Sequence, residues 1–217
     1  MNPKMAAVLA DIENLDNHWT CELTNEQVKE HSFGRIRNLE EKVVKLWSVP
    51  RTTGQLLKFF VIATGAKTIL ELGCSAGYST LWITQGAMVT GGHVYTTEIL
   101  PEKIAIAEKH FKTADVKKYI TLYQQDIMQT LSHWQHGPID LLFMDADIQR
   151  YPDYLEKVEP LLNEKAMIIV DNALTHESYM QAFFDKVKAL NKFIMEILPV
   201  DHGIALLTPC SSFSAAD

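Results

Sequence analysis

The chain has 217 residues, a length that favours one domain, and 47% hydrophobic against 22% charged residues, enough apolar side chain for a sizeable core. Twenty Lys+Arg against 27 Asp+Glu leave a net charge of −7, which argues against a partner with a phosphate backbone, so no nucleic-acid substrate is expected. Mean hydropathy is −0.04 and no apolar run approaches the ~20 residues of a bilayer span, so no membrane partner is expected either.

The first residues, Met1 to Ala10, are followed by Asp11 and Glu13 before an apolar signal region can develop, and are not expected to be a signal peptide. Cys21, Cys74 and Cys210 are an odd number without CxxC spacing; neither a disulfide framework nor a zinc site is expected, and a reducing, cytoplasmic location follows. The segment from about Asp11 to Trp47 is charged and helix-permissive, with Ile36, Leu39, Val43, Leu46 and Trp47 forming an amphipathic stripe that Pro50 should end. Thr52 to Gly54 read as a loop capping an apolar helix over Gln55–Ile62, closed by Gly65. From Lys67 strands alternate with helices. Strands are expected at Thr68–Leu72, His93–Glu98, Ile120–Tyr123, Ile139–Asp145 and Ala166–Asp171, and helices after Ser79, from Pro101, around Met128, over Tyr154–Leu162 and over Tyr179–Leu190. The segment Phe193–Leu207 adds two strands in a hairpin around Pro199–Gly203. This order predicts an α/β fold, a doubly wound, mostly parallel sheet with a C-terminal antiparallel hairpin and N-terminal helices, whose ligands sit beyond the carboxyl ends of the strands.

Leu70-Glu71-Leu72-Gly73-Cys74-Ser75-Ala76-Gly77-Tyr78-Ser79 joins the first strand to a helix. Its two glycines allow close backbone approach to a ligand, and the helix N-terminus behind them offers free N–H groups. It is not GxGxxG, which speaks against a nicotinamide oxidoreductase. Glu98 ends the second strand, where a carboxylate can accept ribose hydroxyls, and Asp126 follows the third. A tight αβ turn with an incidental Glu explains the first loop equally well if it is taken alone; three such loops in one crevice point to a nucleotide. Asp145 ends the fourth strand, and Asp171 and Asn172 the fifth. Their side chains either cap the following helices or, two carboxylates and an amide oxygen on neighbouring strands, gather a hard cation such as Mg²⁺ or Ca²⁺.

These residues resemble the class I S-adenosylmethionine-dependent O-methyltransferases of the catechol and caffeoyl-CoA type, over roughly Val49–Leu207. Glu71-x-Gly73 to Ser79 resembles their first motif, and Pro50 to Leu57 their loop over the methionine end of the cofactor. Gln125-Asp126-Ile127, Met144 to Asp147, Asp171-Asn172 and Leu198 to Ile204 match later motifs in order. The resemblance implies S-adenosylmethionine as cofactor, held by Thr53, Glu71, Gly73, Tyr78, Ser79, Glu98, Gln125, Asp126, Ile127, Asp145 and Asp147. It implies a divalent cation on Asp145, Asp171 and Asn172 that chelates two vicinal hydroxyls of a small hydroxylated aromatic acceptor. It also implies residues 1–48 as a helical extension for cover or dimer contact, residues 49–217 as the methyltransferase domain, and a homodimer. One position departs from the family: Ile148 stands where a general-base Lys is usual. The metal alone then makes the oxyanion, with Asp145 at the catalytic centre, or His202 or His176 serves as base. A metal-independent methyltransferase and a non-catalytic cofactor-binding protein stay open as alternatives.

Overall fold

A computed structural model describes residues 2–24, 43–175 and 177–210. Helix α1 spans Pro3–Asp16, followed by two short strands, β1 (Cys21–Glu22) and β2 (Val43–Val44). The main body then runs α2 (Arg51–Thr64), β3 (Thr68–Leu72), α3 (Tyr78–Thr90), β4 (His93–Thr97), α4 (Pro101–Thr113), β5 (Ile120–Tyr123) and α5 (Ile127–Ser132). It continues with β6 (Ile139–Met144), α6 (Tyr151–Val158), β7 (Leu162–Val170), α7 (Glu177–Leu190), β8 (Phe193–Leu198) and β9 (Ile204–Pro209). The main sheet has seven strands in the order β5-β4-β3-β6-β7-β9-β8. Its first five strands pair in parallel, and β9 and β8 are antiparallel. The doubly wound sheet and its closing hairpin are therefore as the alternation of elements predicts.

The central strands are apolar on both faces because each face meets a helical layer. Ile69, Leu141, Phe143 and Ile169 point into one buried cluster with residues of α1, α2 and α3. Leu70, Leu72, Leu142, Met144, Ile168 and Val170 point into the other, against α6 and α7. This period of two is what a strand covered on both sides requires. Asp140 is the polar exception in β6: its carboxylate accepts from the N–H groups of Lys67 and Thr68 at 2.9 and 3.0 Å and from Asn163 Nδ2 at 3.0 Å. It staples the strand ends opposite the ligand side. The chain moves outward from β3 to β4 and β5, then returns to β6 on the other flank of β3, so the crevice opens beyond the tips of β3 and β6.

Several boundaries differ from expectation. Pro50 starts a helix instead of only ending one: it is the N-cap residue of α2, so Thr52–Gly54 lie in the first helical turn. Thr53 is held there by Asp201 of the β8–β9 turn, whose Oδ2 accepts from its N–H at 3.1 Å and its Oγ1 at 2.8 Å. The expected stripe from Ile36 to Trp47 lies partly outside the described residues. Within them Val43 and Val44 form β2 against β1, and Trp47 has φ +53°, which no helix continues through. Helix α1 instead opens the chain, capped by Asn2 Oδ1 accepting from the Lys4 N–H at 2.9 Å, and buries Met5, Val8, Leu9 and Ile12. A helix here accords with the helical extension expected of residues 1–48, but its Asn-Pro start is a capping signal that was not used to place it. β4 stops at Thr97, leaving Glu98 just beyond it, and β7 starts at Leu162, which ends the preceding helix early.

Helices α2 and α3 touch so closely that a Cβ on Gly54 would lie 2.3 Å from Trp82 Cδ1, and one on Gly86 2.7 Å from Val61 Cβ. This contact ties the residues before β3 to the helix that carries the glycine-rich turn.

Candidate functional site

Beyond the tips of β3, β4, β5, β6 and β7 lies a cavity of about 610 Å³. The glycine-rich turn forms its floor. Gly73 has φ +98°, and a Cβ there would sit 2.1 Å from the Asp145 carbonyl oxygen, so only glycine lets the β3 and β6 tips meet. The Gly73 N–H donates to Thr97 Oγ1 at 3.2 Å and the Cys74 N–H to the Thr97 carbonyl at 2.8 Å. Gly77, at φ +86°, turns the chain into α3 against the ring of Phe111. His110 supports the turn from behind, its Nδ1–H donating to the Ala76 carbonyl at 2.8 Å.

Glu98 closes the next loop. Its Oε2 accepts from the Ser75 N–H at 2.8 Å, and its Oε1 from the N–H groups of Ile99 and Leu100 at 2.8 and 3.0 Å. Three of about four carboxylate acceptor positions are thus filled, leaving one on Oε2 for a ligand hydroxyl. Asp126 caps α5 through the Met128 N–H at 2.8 Å and pairs with Arg150 Nη1 at 2.9 Å. Gln125 Nε2 donates to Thr130 Oγ1 at 3.0 Å. Asp147 caps the short turn over residues 148–150 by accepting from the Gln149 N–H at 3.2 Å.

The acidic end of the cavity joins β6 to β7. Asn172 Nδ2 lies 3.4 Å from both Asp145 Oδ1 and Asp171 Oδ2. Asp171 is 2% exposed, and its Oδ1 has no hydrogen-bond partner. Burial, then the charge of Asp171 and that of Glu71, push the Asp145 carboxyl well above the usual carboxylate range, while Lys103 opposes them. Burial likewise raises Asp171, against the Asn172 backbone hydrogen bond and the nearby His202. A buried carboxylate with an orphan oxygen, beside a second that is only partly exposed, forms a site that a cation would relieve. Among the described residues no group of three or more His, Cys, Asp and Glu side chains could hold a metal, so a cation here would need the Asn172 amide oxygen.

Of the residues singled out in the sequence, Gly73, Tyr78, Ser79, Glu98, Gln125, Asp126, Ile127, Asp145, Asp147, Asp171, Asn172 and His202 all line this cavity. Thr53 and Glu71 do not. Thr53 is fully buried against Asp201. Glu71 lies beneath the turn, Oε2 accepting from Thr80 Oγ1 at 2.5 Å and Thr96 Oγ1 at 2.6 Å, with Oε1 unpartnered. His176 lies outside the described residues. Ile148 is in the wall, so an apolar side chain does occupy the place read as the base position. Sequence reasoning missed Asp16, Leu46, Trp47, Ser75 and Lys103, which also line the cavity. A signal existed for Lys103 alone: a cation in the first turn of α4 opposes the helix dipole.

Burial raises the Glu71 carboxyl from 4.5 to about 7, with Ser79, then Thr80 and Thr96, opposing. The folded value exceeds the unfolded one, so the stability linked to this proton is complete below about pH 4.5 and is lost as the pH rises through 7. The loss is on the order of 3 kcal/mol. Glu71→Gln should therefore gain stability relative to the parent chain between pH 5 and pH 8, by on the order of 2–3 kcal/mol in urea denaturation. A constant difference across that range would contradict the assignment.

A family model described as O-methyltransferase matches residues 27–206. A catechol O-methyltransferase from Niastella koreensis is 31% identical over 140 residues, 63% of this chain and 63% of its own length. One from Mycobacterium tuberculosis is 31% identical over 127 residues, 58% of this chain and 57% of its own. The chain thus spans less than two thirds of the curated relatives it matches. Among solved structures, an O-methyltransferase from Bacillus cereus in complex with SAH superposes with a TM-score of 0.73 at 22% identity, covering 94% of this chain and 91% of that one.

Proposed function

The chain belongs to the O-methyltransferase family, and from that premise we propose that it transfers a methyl group from S-adenosylmethionine to a hydroxyl of a small catechol-like or phenolic acceptor. The observation that carries this reading is the contact of Gly73 with the Asp145 carbonyl, which puts the cofactor turn and the acidic strand tips in one cavity. The names of the curated relatives favour a catechol-type acceptor, and the bound SAH of the Bacillus cereus protein favours the cofactor.

In this reading the nucleoside lies between Glu98, whose free Oε2 position takes a ribose hydroxyl, and Gln125 to Ile127, which flank the adenine. The N–H groups at the start of α3 and Ser79 meet the amino-acid end. Asp145, Asp171 and Asn172 fit a divalent cation such as Mg²⁺ or Ca²⁺, on the evidence of the orphan Asp171 Oδ1 and the two raised carboxyls. When bound, such an ion would supply Lewis-acid lowering of the acceptor's phenol pKa. The chain's own part is positional: in-line transfer needs an oxygen held behind the sulfonium methyl. Ile148 takes no proton. His202, on the β8–β9 turn beside Asp171, is the described side chain placed to take the proton of the acceptor hydroxyl. We assign residues 1–48 to cover of the site, because Asp16, Leu46, Trp47 and Ser48 already wall the cavity, and, on the family resemblance alone, to pairing between two copies. A cytoplasmic location completes the reading, with all three cysteines free.

Assay with catechol as acceptor, with and without a chelator, tests the proposal. Methyl transfer that collapses with chelator and returns with Mg²⁺ is the expected result. Transfer indifferent to chelator but lost in His202→Ala would replace the cation with the imidazole. Cofactor binding without transfer to any hydroxylated aromatic would leave a non-catalytic binding protein.

A further inference from the structure

Lys103 is the third residue of α4 and is 5% exposed, yet its side chain lines the cavity. Its position is doubly unfavourable: an ammonium is taken from water and set at the positive end of a helix dipole. Its Nζ lies 4.9 Å from the centre of the Trp47 ring. Trp47 is held at φ +53°, a conformation rare for a bulky residue, so the chain accepts strain to place that ring. The neighbouring Leu46 carbonyl accepts from Ser75 Oγ at 2.6 Å, which fixes the Trp47 segment against the glycine-rich turn.

No hydrogen-bond or ion-pair partner for Nζ occurs among the described residues. The carboxylates whose charges favour its protonated form are Glu98, Asp145 and Asp16. Each has partners of its own. Glu98 takes three backbone N–H groups, Asp145 meets Asn172 at 3.4 Å, and Asp16 accepts the Ser48 N–H at 3.4 Å. Arg150, another cation in the wall, is paired with Asp126 at 2.9 Å. His202 stands at the far, acidic end beside Asp171. The cavity therefore presents a buried ammonium that feels three carboxylates but bonds to none of them, its donors open to a ligand acceptor, next to the turn that would receive a cofactor.

The cofactor of the proposed function offers one matching group. Its nucleoside is neutral and its sulfonium is cationic; its amino-acid end carries an α-carboxylate. We propose that Lys103 is the counter-ion of that carboxylate, orienting the cofactor along the cavity with the Trp47 ring as its wall. This rests on the cofactor reading above and adds to it a residue that the loop motifs do not contain.

The test compares two ligands that share the nucleoside and differ in the amino-acid end: S-adenosylhomocysteine (SAH) and 5′-methylthioadenosine. Each is titrated calorimetrically into the full chain and into Lys103→Met and Lys103→Arg. Lys103→Met should weaken SAH by about ten- to a hundredfold, the loss of one charge-assisted contact, and leave methylthioadenosine within about twofold. Lys103→Arg should restore most of the SAH affinity. SAH binding should weaken more at alkaline pH in the parent chain than in Lys103→Arg, whose guanidinium stays charged, so that titration of the ligand's own α-amine is common to both. Unchanged SAH binding in Lys103→Met, or equal losses for both ligands, would overturn the assignment. So would intact SAH binding with a raised acceptor KM, which would move the anion to the acceptor. A parent chain that binds neither nucleoside would fail the cofactor reading itself, and this assignment with it.

Discussion

Gly73→Ala is expected to remove measurable SAH binding and to lower the melting temperature. The new methyl would lie 2.1 Å from the Asp145 carbonyl oxygen, a backbone atom in the tip of β6 that cannot swing aside. The residue also sits at φ +98°, where a side chain adds strain of its own. Relief requires the β3 and β6 tips to part, which opens the floor under the cofactor and displaces the Asp145 side chain together. We expect SAH affinity to fall by at least about a hundredfold, since both the N–H cradle and the shape of the cavity are lost. Gly65→Ala is the control. Gly65 is also left-handed, at φ +67°, but a Cβ there meets nothing within 4 Å. It should cost about 1 kcal/mol of stability and leave SAH binding unchanged. Binding by Gly73→Ala within threefold of the parent chain would show that the turn is not the cofactor floor.

Asp145→Asn should separate function from stability. Loss of this carboxylate at the proposed reacting end of the cavity should lower methyl transfer by roughly two to three orders of magnitude, the scale of one preorganised electrostatic contact. Stability should move the other way. Burial and Asp171 hold the Asp145 carboxyl above its unfolded value. Its proton-linked stability is therefore complete below about pH 4 and is lost as the pH rises. Asparagine carries no such penalty. In chelator at pH 7.5 the variant should be more stable than the parent, and the gain should shrink as the pH falls and vanish near pH 4. Added Mg²⁺ should raise the melting temperature of the parent and not of the variant. A fully active Asp145→Asn would remove the acidic tips from the mechanism.

The parallel sheet and the order of its loops were legible because they rest on local patterns. Apolar runs such as Ile139–Met144 are bounded by turn residues, and the strands alternate with helices. The cavity wall was legible wherever a residue follows a strand at once or within a short loop: Gly73, Glu98, Asp145 and Asp171 come directly after their strands and Asp126 three residues after β5, positions a doubly wound sheet turns toward its ligand. What a strand-tip rule cannot reveal is which side chains the tertiary packing turns away. Glu71 lies within β3, and its position gave no sign that Thr80 and Thr96 would claim it beneath the turn. Thr53 was read as part of a loop, but Asp201, 148 residues later, decides its place. Lys103 and Trp47 come from a helix and an irregular segment that no motif marks, and only the fold sets the ammonium against the ring. The helical stripe expected up to Trp47 failed within the described residues because Val43 and Val44 found a strand partner in β1, an outcome that pairing across the chain decides and local periodicity cannot.

The most direct test of the account is the parent arm of the SAH titration, run in chelator so that no cation contributes. A saturable, exothermic 1:1 isotherm that is lost in Gly73→Ala would place the nucleotide on the glycine-rich turn. No heat at protein concentrations well above any useful affinity, with the chain folded by circular dichroism, would contradict it.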